Sequence, residues 1–194
     1  MLFPEPLYEG QNFLKLSLPA GADFRRKEFA ACVFKQSDFG ACDLSHSVFI
    51  DCRFTGCSFA GTKLDYCRFQ NAQFEECKLV GLALARVQPL FLSWSFDQCK
   101  LQFCNFGGLK MAHSRFTDSA VLDCDFVNTD LKEASFAGAD LRASKFHHSG
   151  LEKADFTGAR NYDLDPTSNR LKGAQFSFPE ALSLLAGFGI KVRM

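Results

Sequence analysis

Residues 32–44 read CVFKQSDFGACDL, and this stretch places a large apolar residue at every fifth position. The same period continues without a miss from Phe24 to Leu84, and a second run extends from Phe96 to Phe156. A period of five fits neither an α-helix nor a simple strand, whose side chains repeat every 3.6 and 2 residues. The chain is therefore predicted to turn a corner every five residues.

A small residue precedes the large one by two positions in most repeats. All nine Cys occupy this second position: Cys32, Cys42, Cys52, Cys57, Cys67, Cys77, Cys99, Cys104 and Cys124. Each side of the coil then has two inward positions, and four sides close a square coil. Stacked coils share backbone hydrogen bonds and rise by about 4.8 Å per coil. Each coil then buries its apolar layer only against the next coil, as in repeat solenoids. The Cys residues are interpreted as small packing residues.

The composition excludes several classes of protein. The 194 residues are 47% apolar and include 23 Phe, which a disordered chain would not contain. The formal net charge of zero argues against broad phosphate neutralisation, so no direct nucleic-acid partner is expected. The most apolar stretch, 79–94, contains Arg86 and Pro89 and is a poor membrane span, and no leader pattern is expected at the N-terminus. The odd number of Cys argues against a closed disulfide framework and favours a reducing, cytoplasmic location.

The five-residue period is interrupted at residues 85–95, where the chain holds two additional residues. Pro89 cannot donate a hydrogen bond to a neighbouring strand, so a kink or a short loop is expected there. One interpretation is a repaired insertion whose Phe91 and Trp94 pack against the rod. The other is a projecting contact loop, because loops on solenoids often bind partners.

Charged residues test the coil, because residues twenty apart would lie above one another. Within each run of repeats, counted as far as Arg160, opposite charges occur at this spacing in six pairs: Asp43/Lys63, Lys110/Asp130, Asp125/Lys145, Lys132/Glu152, Glu133/Lys153 and Asp140/Arg160. One pair of like charges occurs, Asp23/Asp43. In the acidic region 117–141, only Asp118 and Asp123 lack a basic residue along the column.

The sequence shows no constellation of residues that indicates catalysis or metal binding. His46, His113, His147 and His148 fall at outward positions without a signalled Cys partner. The Cys spacings are multiples of five within each run instead of C-x-x-C, so no zinc site is predicted. We therefore expect a protein that is not an enzyme and that has neither a metal nor a cofactor.

The repeats resemble the pattern A(D/N)LXX of the pentapeptide-repeat proteins. The similarity covers roughly residues 21–177 and is clearest in five repeats: Ala22-Asp23-Phe24, Cys42-Asp43-Leu44, Thr129-Asp130-Leu131, Ala139-Asp140-Leu141 and Ala154-Asp155-Phe156. The resemblance implies an all-β solenoid, a right-handed quadrilateral β-helix interrupted at 85–95. Twenty-six repeats would give about six and a half coils and a rod about 30 Å long.

The two ends of the chain are expected to lie outside the repeats. Residues 1–20 show no clear period and are interpreted as a cap or arm that covers the first coil. Residues 178–194 are interpreted as a C-terminal helix and tail. The helix is predicted over 181–186.

A capping box is predicted at the start of this helix. Ser177 would be the N-cap residue, and Glu180 follows it three positions later. Gly187 or Gly189 would end the helix.

The tail resembles the C-terminal end of the family branch that protects DNA gyrase, in which the tails pair two rods. The resemblance implies a homodimer, with a seal over the last coil as the alternative. The interface would consist of four apolar residues, namely Leu182, Leu185, Phe188 and Ile190.

The resemblance also implies a function. Quinolone-resistance and microcin- or albicidin-immunity members bind DNA gyrase or topoisomerase IV and protect it from a quinolone or a peptide toxin, and some present an acidic rod that imitates DNA. The corresponding contact residues would be Arg86, Pro89, Phe91, Trp94, Asp118 and Asp123. The alternative is a scaffold module with another protein partner, because a fold does not fix a function. No membrane partner is expected.

Overall fold

The computed structural model describes residues 3–16, 18–19, 21–90 and 92–192 of the chain. The strands in these residues are β1 Leu7–Glu9, β2 Asn12–Leu14, β3 Glu28–Ala30, β4 Val33–Lys35, β5 Val48–Ile50, β6 Arg53–Thr55, β7 Arg68–Gln70, β8 Gln73–Glu75, β9 Lys78–Val80, β10 Ser95–Asp97, β11 Lys100–Gln102, β12 Ala120–Leu122, β13 Lys145–Phe146, β14 Asp155–Phe156, β15 Asp163–Leu164 and β16 Gln175–Phe176. Two 3-10 helices span Leu84–Arg86 and Glu180–Phe188.

The strands stack in parallel from coil to coil, which confirms the predicted class, an all-β quadrilateral β-helix. The main sheets have the orders β1-β3-β5-β7, β10-β8-β6-β4-β2 and β12-β11-β9, while β13 pairs with β15 and β14 with β16. Phe29 pairs with Phe49, twenty residues later, as the predicted coil requires. The offset is one residue larger between Tyr8 and Phe29 and two residues larger between Phe74 and Phe96, across the break.

Inside the rod, a column of stacked Phe rings runs along one side of the core. The column contains Phe13, Phe34, Phe54, Phe74, Phe96, Phe116, Phe136, Phe156 and Phe176. Successive ring centroids lie 4.8–5.1 Å apart, which is also the spacing of neighbouring strands. Eight such steps make a rod about 40 Å long at this spacing, longer than predicted, because coils extend beyond the predicted repeats at both ends.

The N-terminal segment, expected to be a separate cap, is the first coil of the rod. Its strands β1 and β2 pair with β3 and β4, and Tyr8 and Phe13 take the positions of the large apolar residue. The ring of Phe3 lies 4.7 Å from Phe24 and 5.3 Å from Tyr8, so this side chain closes the open end of the core. The expectation failed because one additional residue between Leu18 and Phe24 shifts the phase of the repeat.

All nine Cys are buried and free, in agreement with their interpretation as packing residues. Cys57, Cys77 and Cys99 lie above one another in one column. The backbone N–H of Cys57 donates to Cys77 Sγ and that of Cys77 donates to Cys99 Sγ, both at 3.4 Å. In a neighbouring column, burial raises the pKa of the Cys52 thiol to about 12, so this group stays protonated and unreactive near neutral pH.

The corners of the coil are formed by residues in the left-handed conformation, one in every five. In one coil these are Arg26, Ala31, Gln36 and Ala41, with φ of 59°, 51°, 49° and 55°. Corner residues of successive coils form four columns along the rod. We name each column after its residue in this coil, for example the Gln36 corner.

Three residues of the break pack into the core of the rod. Val87, Leu92 and Trp94 are buried, and Trp94 is only 2% exposed. The indole Nε1 of Trp94 donates a hydrogen bond of 3.0 Å to the carbonyl oxygen of Phe69, in β7, where the sheet of β1, β3, β5 and β7 ends. The assignment of Trp94 as a contact residue is therefore wrong, whereas its interpretation as part of a repaired insertion is confirmed. Phe91 lies outside the described residues.

The C-terminal segment forms a 3-10 helix, and the predicted capping box is not formed. Pro179 takes the N-cap position, and no side chain caps the helix. The hydroxyl of Ser177 instead accepts a hydrogen bond of 3.0 Å from the backbone N–H of Gly158, in the coil below. The helix ends at Gly189, with φ of 72°, which is one of the two predicted stops.

Candidate functional site

Acidic side chains meet along the Gln36 corner, where the break changes the register. Glu75 at the end of β8 pairs with Asp97 at the end of β10. Glu76 is the corner residue after Glu75, and its N–H donates to the carbonyl oxygen of Asp97 at 3.0 Å. Asp118 occupies the same corner column one coil after Gln98. We call Glu75, Glu76, Asp97 and Asp118 the acidic ridge.

The carboxylates of the ridge are exposed and unpaired. Within the described ranges, no basic side chain lies within 4.0 Å of any of them. Thr55 Oγ1 donates a long hydrogen bond of 3.5 Å to Glu75 Oε2. Four carboxylates in three coils give about one charge per 3–4 Å of rod, close to the ~3.4 Å per phosphate along one DNA strand.

A glycine in the next coil makes room for Asp118. The carboxylate of Asp118 occupies the space in which a Cβ atom on Gly138 would lie. Gly138 also has φ of 70°, a conformation that glycine adopts without steric cost. This neighbour therefore allows the Asp118 carboxylate to lie flat along the corner.

Several other charged columns pair opposite charges, as the twenty-residue spacing predicts. Backbone bridges stack Asp43/Lys63, Lys110/Asp130, Asp125/Lys145 and Asp140/Arg160. The Lys153 Nζ atom lies 3.3 Å from Glu133 Oε1. The acidic ridge differs from these columns because it contains no cation.

The carboxylate of Asp140 has a structural role, in contrast to those of the ridge. It is almost buried, and it accepts hydrogen bonds from Asn161 at 2.9 Å and from the Arg142 guanidinium at 3.0 Å. Burial acts to raise the pKa of Asp140, but these two partners outweigh burial and hold it below its usual range. No ridge residue has comparable contacts.

The residues predicted to contact a partner do not share one surface. Arg86 is exposed at the end of the first 3-10 helix and pairs with Asp65 at 3.0 Å. Pro89 is exposed within the break, and Asp118 belongs to the acidic ridge. Asp123 lies on the Ala41 corner, five residues and one corner away from Asp118.

The C-terminal helix and the residues on either side of it present apolar side chains to solvent. Phe178, Phe188 and Ile190 are 81%, 61% and 52% exposed, while Leu182 and Leu185 are half-buried. A single exposed apolar residue is ordinary, but several in one terminal segment indicate an interaction surface.

Neither a metal site nor a transmembrane helix is found in the portion of the chain that is described. No three His, Cys, Asp or Glu side chains there are placed to hold a metal ion. No helix in these ranges is long and apolar enough to cross a bilayer.

Sequence reasoning missed most of the ridge because it paired charges only within each run of repeats. Across the break the offset is two residues larger, and this offset places Glu75 against Asp97. The sequence contains the information needed to align the two runs, since Phe74 and Phe96 are each the large apolar residue of a repeat.

Comparisons with known proteins agree with this architecture. A family profile described as pentapeptide repeat region matches residues 22–88, and one described as pentapeptide repeats (8 copies) matches residues 124–160. No curated protein sequence matches the chain.

Solved structures give the same fold. A trypsin-treated variant of QnrB1, described as a plasmid-mediated fluoroquinolone resistance protein, has a TM-score of 0.78 at 15% identity, covering 97% of this chain and 92% of its own. A second trypsin-treated QnrB1 variant has a TM-score of 0.59 at 18% identity, with coverages of 94% and 100%. HetL of the cyanobacterium Nostoc, described as involved in heterocyst differentiation regulation, has a TM-score of 0.53 at 14% identity, with coverages of 88% and 87%.

Proposed function

The chain belongs to the pentapeptide-repeat family, and from this premise we propose that it binds DNA gyrase or topoisomerase IV in the cytoplasm and protects the enzyme from a poison. The poison would be a quinolone or a peptide toxin. Such a β-solenoid is typically a non-catalytic interaction scaffold, so protection would come from binding.

The acidic ridge is the observation that supports this proposal most directly. An enzyme that binds DNA presents a basic surface to the phosphates. The four carboxylates of the ridge are unpaired and have a charge spacing similar to that of a DNA strand. Bound to the basic surface of the enzyme, the ridge would compete with DNA and destabilise the complex that the poison traps.

The fold similarity to QnrB1 adds support, because that protein is described as conferring fluoroquinolone resistance. The similarity to HetL supports a second candidate, a scaffold that regulates a different partner. In that case the ridge would bind another basic protein surface.

A supercoiling assay separates the two candidates. We expect the purified protein to restore supercoiling by DNA gyrase in the presence of a quinolone or a peptide toxin, in a manner that depends on its concentration. Bovine serum albumin at equal concentration controls for nonspecific effects. No rescue with any poison at any concentration would leave the scaffold role as the better account.

The exposed apolar residues of the C-terminal helix support a homodimer joined through these tails. We expect light scattering to give twice the chain mass of 21.6 kDa. The variant Phe188→Glu/Ile190→Glu should be monomeric, because two charges cannot be buried unpaired in an apolar interface. The matched control Leu7→Glu/Leu14→Glu changes two exposed residues of the first coil and should leave the mass unchanged. A wild-type mass of one chain would rule out this dimer.

A further inference from the structure

Two lysines are stacked on the face next to the acidic ridge. Lys78 in β9 pairs directly with Lys100 in β11, again because of the larger offset across the break. Their column continues to Ser58 on one side and Ala120 on the other, so neither lysine has an acid above or below it. Both are exposed, and neither has a carboxylate within 4.0 Å among the residues described. Like charges at directly paired positions destabilise a sheet.

An exposed aromatic ring lies at the far edge of the same face. Phe103 follows β11 on the Ala41 corner and is 59% exposed, with φ of 56°. A bulky residue in this conformation is unfavourable, and the preceding coils have Gly61 and Gly81 there. A Cβ atom added to either glycine would contact nothing within 4 Å, so an open shelf lies beside the ring.

We propose that Lys78, Lys100 and Phe103 form a docking surface for a short acidic segment of another protein that also contains an apolar side chain. We call these three residues the Lys–Phe patch. Carboxylates of the segment would pair with the two lysines, and its apolar side chain would rest on the glycine shelf against the Phe103 ring. The repulsion between the lysines and the exposure of the Phe103 ring to water are unfavourable in the free rod, and both are reduced when such a segment is bound.

The charges around the patch favour this occupant over nucleic acid. The two lysines would neutralise only two phosphates of a nucleic-acid strand. The rest of the strand would continue over the adjacent acidic ridge, which repels it. A short acidic segment that runs from the lysines toward Gly81 and Phe103 avoids the ridge. The patch is separate from the ridge, so the proposed docking at the patch does not depend on the proposed binding of a topoisomerase.

A random peptide library displayed on phage and selected on the full-length protein tests the proposal. We expect enriched peptides to be acidic and to contain an apolar residue. Their affinity, measured by fluorescence anisotropy, should fall about tenfold or more in Lys78→Gln/Lys100→Gln and in Phe103→Gly, as for the loss of a central contact. Both variants should melt at the same temperature as the wild type or higher, because each removes an unfavourable feature of the free rod.

Matched controls are available on other faces. Lys110→Gln/Lys132→Gln removes two exposed lysines, and Tyr66→Gly removes an exposed aromatic residue at another left-handed corner. Both controls should bind the peptides like the wild type. The proposal is overturned if the library gives no binder, if enriched peptides have no acidic bias, or if the patch variants bind as well as the wild type. Loss of a dimer in Lys78→Gln/Lys100→Gln would also overturn it, since the patch would then be a contact between copies.

Discussion

Trp94→Ala is expected to destabilise the rod by about 3–5 kcal/mol, the range for removing a large aromatic residue from a core. The ring centroid of Trp94 lies 6.1 Å from those of Phe69 and Phe96, on opposite sides of the break. A small apolar cavity of about 10 Å³ already lies beside it. Truncation would enlarge this cavity and would leave the carbonyl oxygen of Phe69 without its indole donor.

Urea denaturation followed by circular dichroism measures this effect. The conservative variant Trp94→Phe keeps most of the packing but loses the hydrogen bond, so its cost should be about 1–3 kcal/mol. A change below about 1 kcal/mol for Trp94→Ala would contradict the structural role of Trp94 in the break.

Phe116→Ala should cost a similar amount, about 3–5 kcal/mol, because it interrupts the Phe column near its centre. The Phe116 ring is fully buried and stacks between Phe96 at 5.1 Å and Phe136 at 4.9 Å. In a solenoid each coil contacts only its neighbours, so the loss separates the rod into two less strongly coupled parts.

The same denaturation series tests this prediction with two comparisons. Phe116→Leu retains an apolar side chain and should cost clearly less than Phe116→Ala. Tyr66→Ala removes an aromatic side chain that is 61% exposed and should change stability by less than about 0.5 kcal/mol. Equal effects of Phe116→Ala and Tyr66→Ala would show that stacking in the column does not stabilise the rod.

The five-residue period was sufficient to predict the fold, because inward residues at that spacing fit only a chain that turns regularly. Where one or two residues are added, the same reasoning loses the register. An additional residue after Leu18 concealed the first coil, and two additional residues in the break concealed the pairing of Glu75 with Asp97. Local signals also depend on tertiary partners, as Ser177 shows by accepting a hydrogen bond from Gly158 instead of capping a helix.

The candidate site was predicted only in part. Asp118 was identified from its unbalanced column, whereas Trp94 was assigned to a contact loop because loops on solenoids often bind partners. The structure places that ring in the core, where its N–H satisfies a carbonyl at the end of a sheet. A charge count along the true columns, including the larger offset at the break, would have found the ridge from the sequence.

The two unpaired features on the rod have a common origin. The break places Glu75 against Asp97 and Lys78 against Lys100, whereas several columns elsewhere pair opposite charges. The insertion therefore changes the surface more than it changes the core, because the buried Trp94 fills the core at the break.

The affinity of the protein for DNA gyrase tests most directly whether the acidic ridge is the binding surface. The variant Glu75→Gln/Glu76→Gln/Asp97→Asn/Asp118→Asn removes the ridge charges, while Glu5→Gln/Glu9→Gln/Glu28→Gln/Asp163→Asn removes four exposed acids elsewhere. Measured by surface plasmon resonance, the affinity should fall about tenfold or more for the ridge variant and about twofold or less for the control. Complementary charges at a contact contribute more to binding than distant charges do. Equal affinities of the two variants, or no binding by the wild type, would contradict the account.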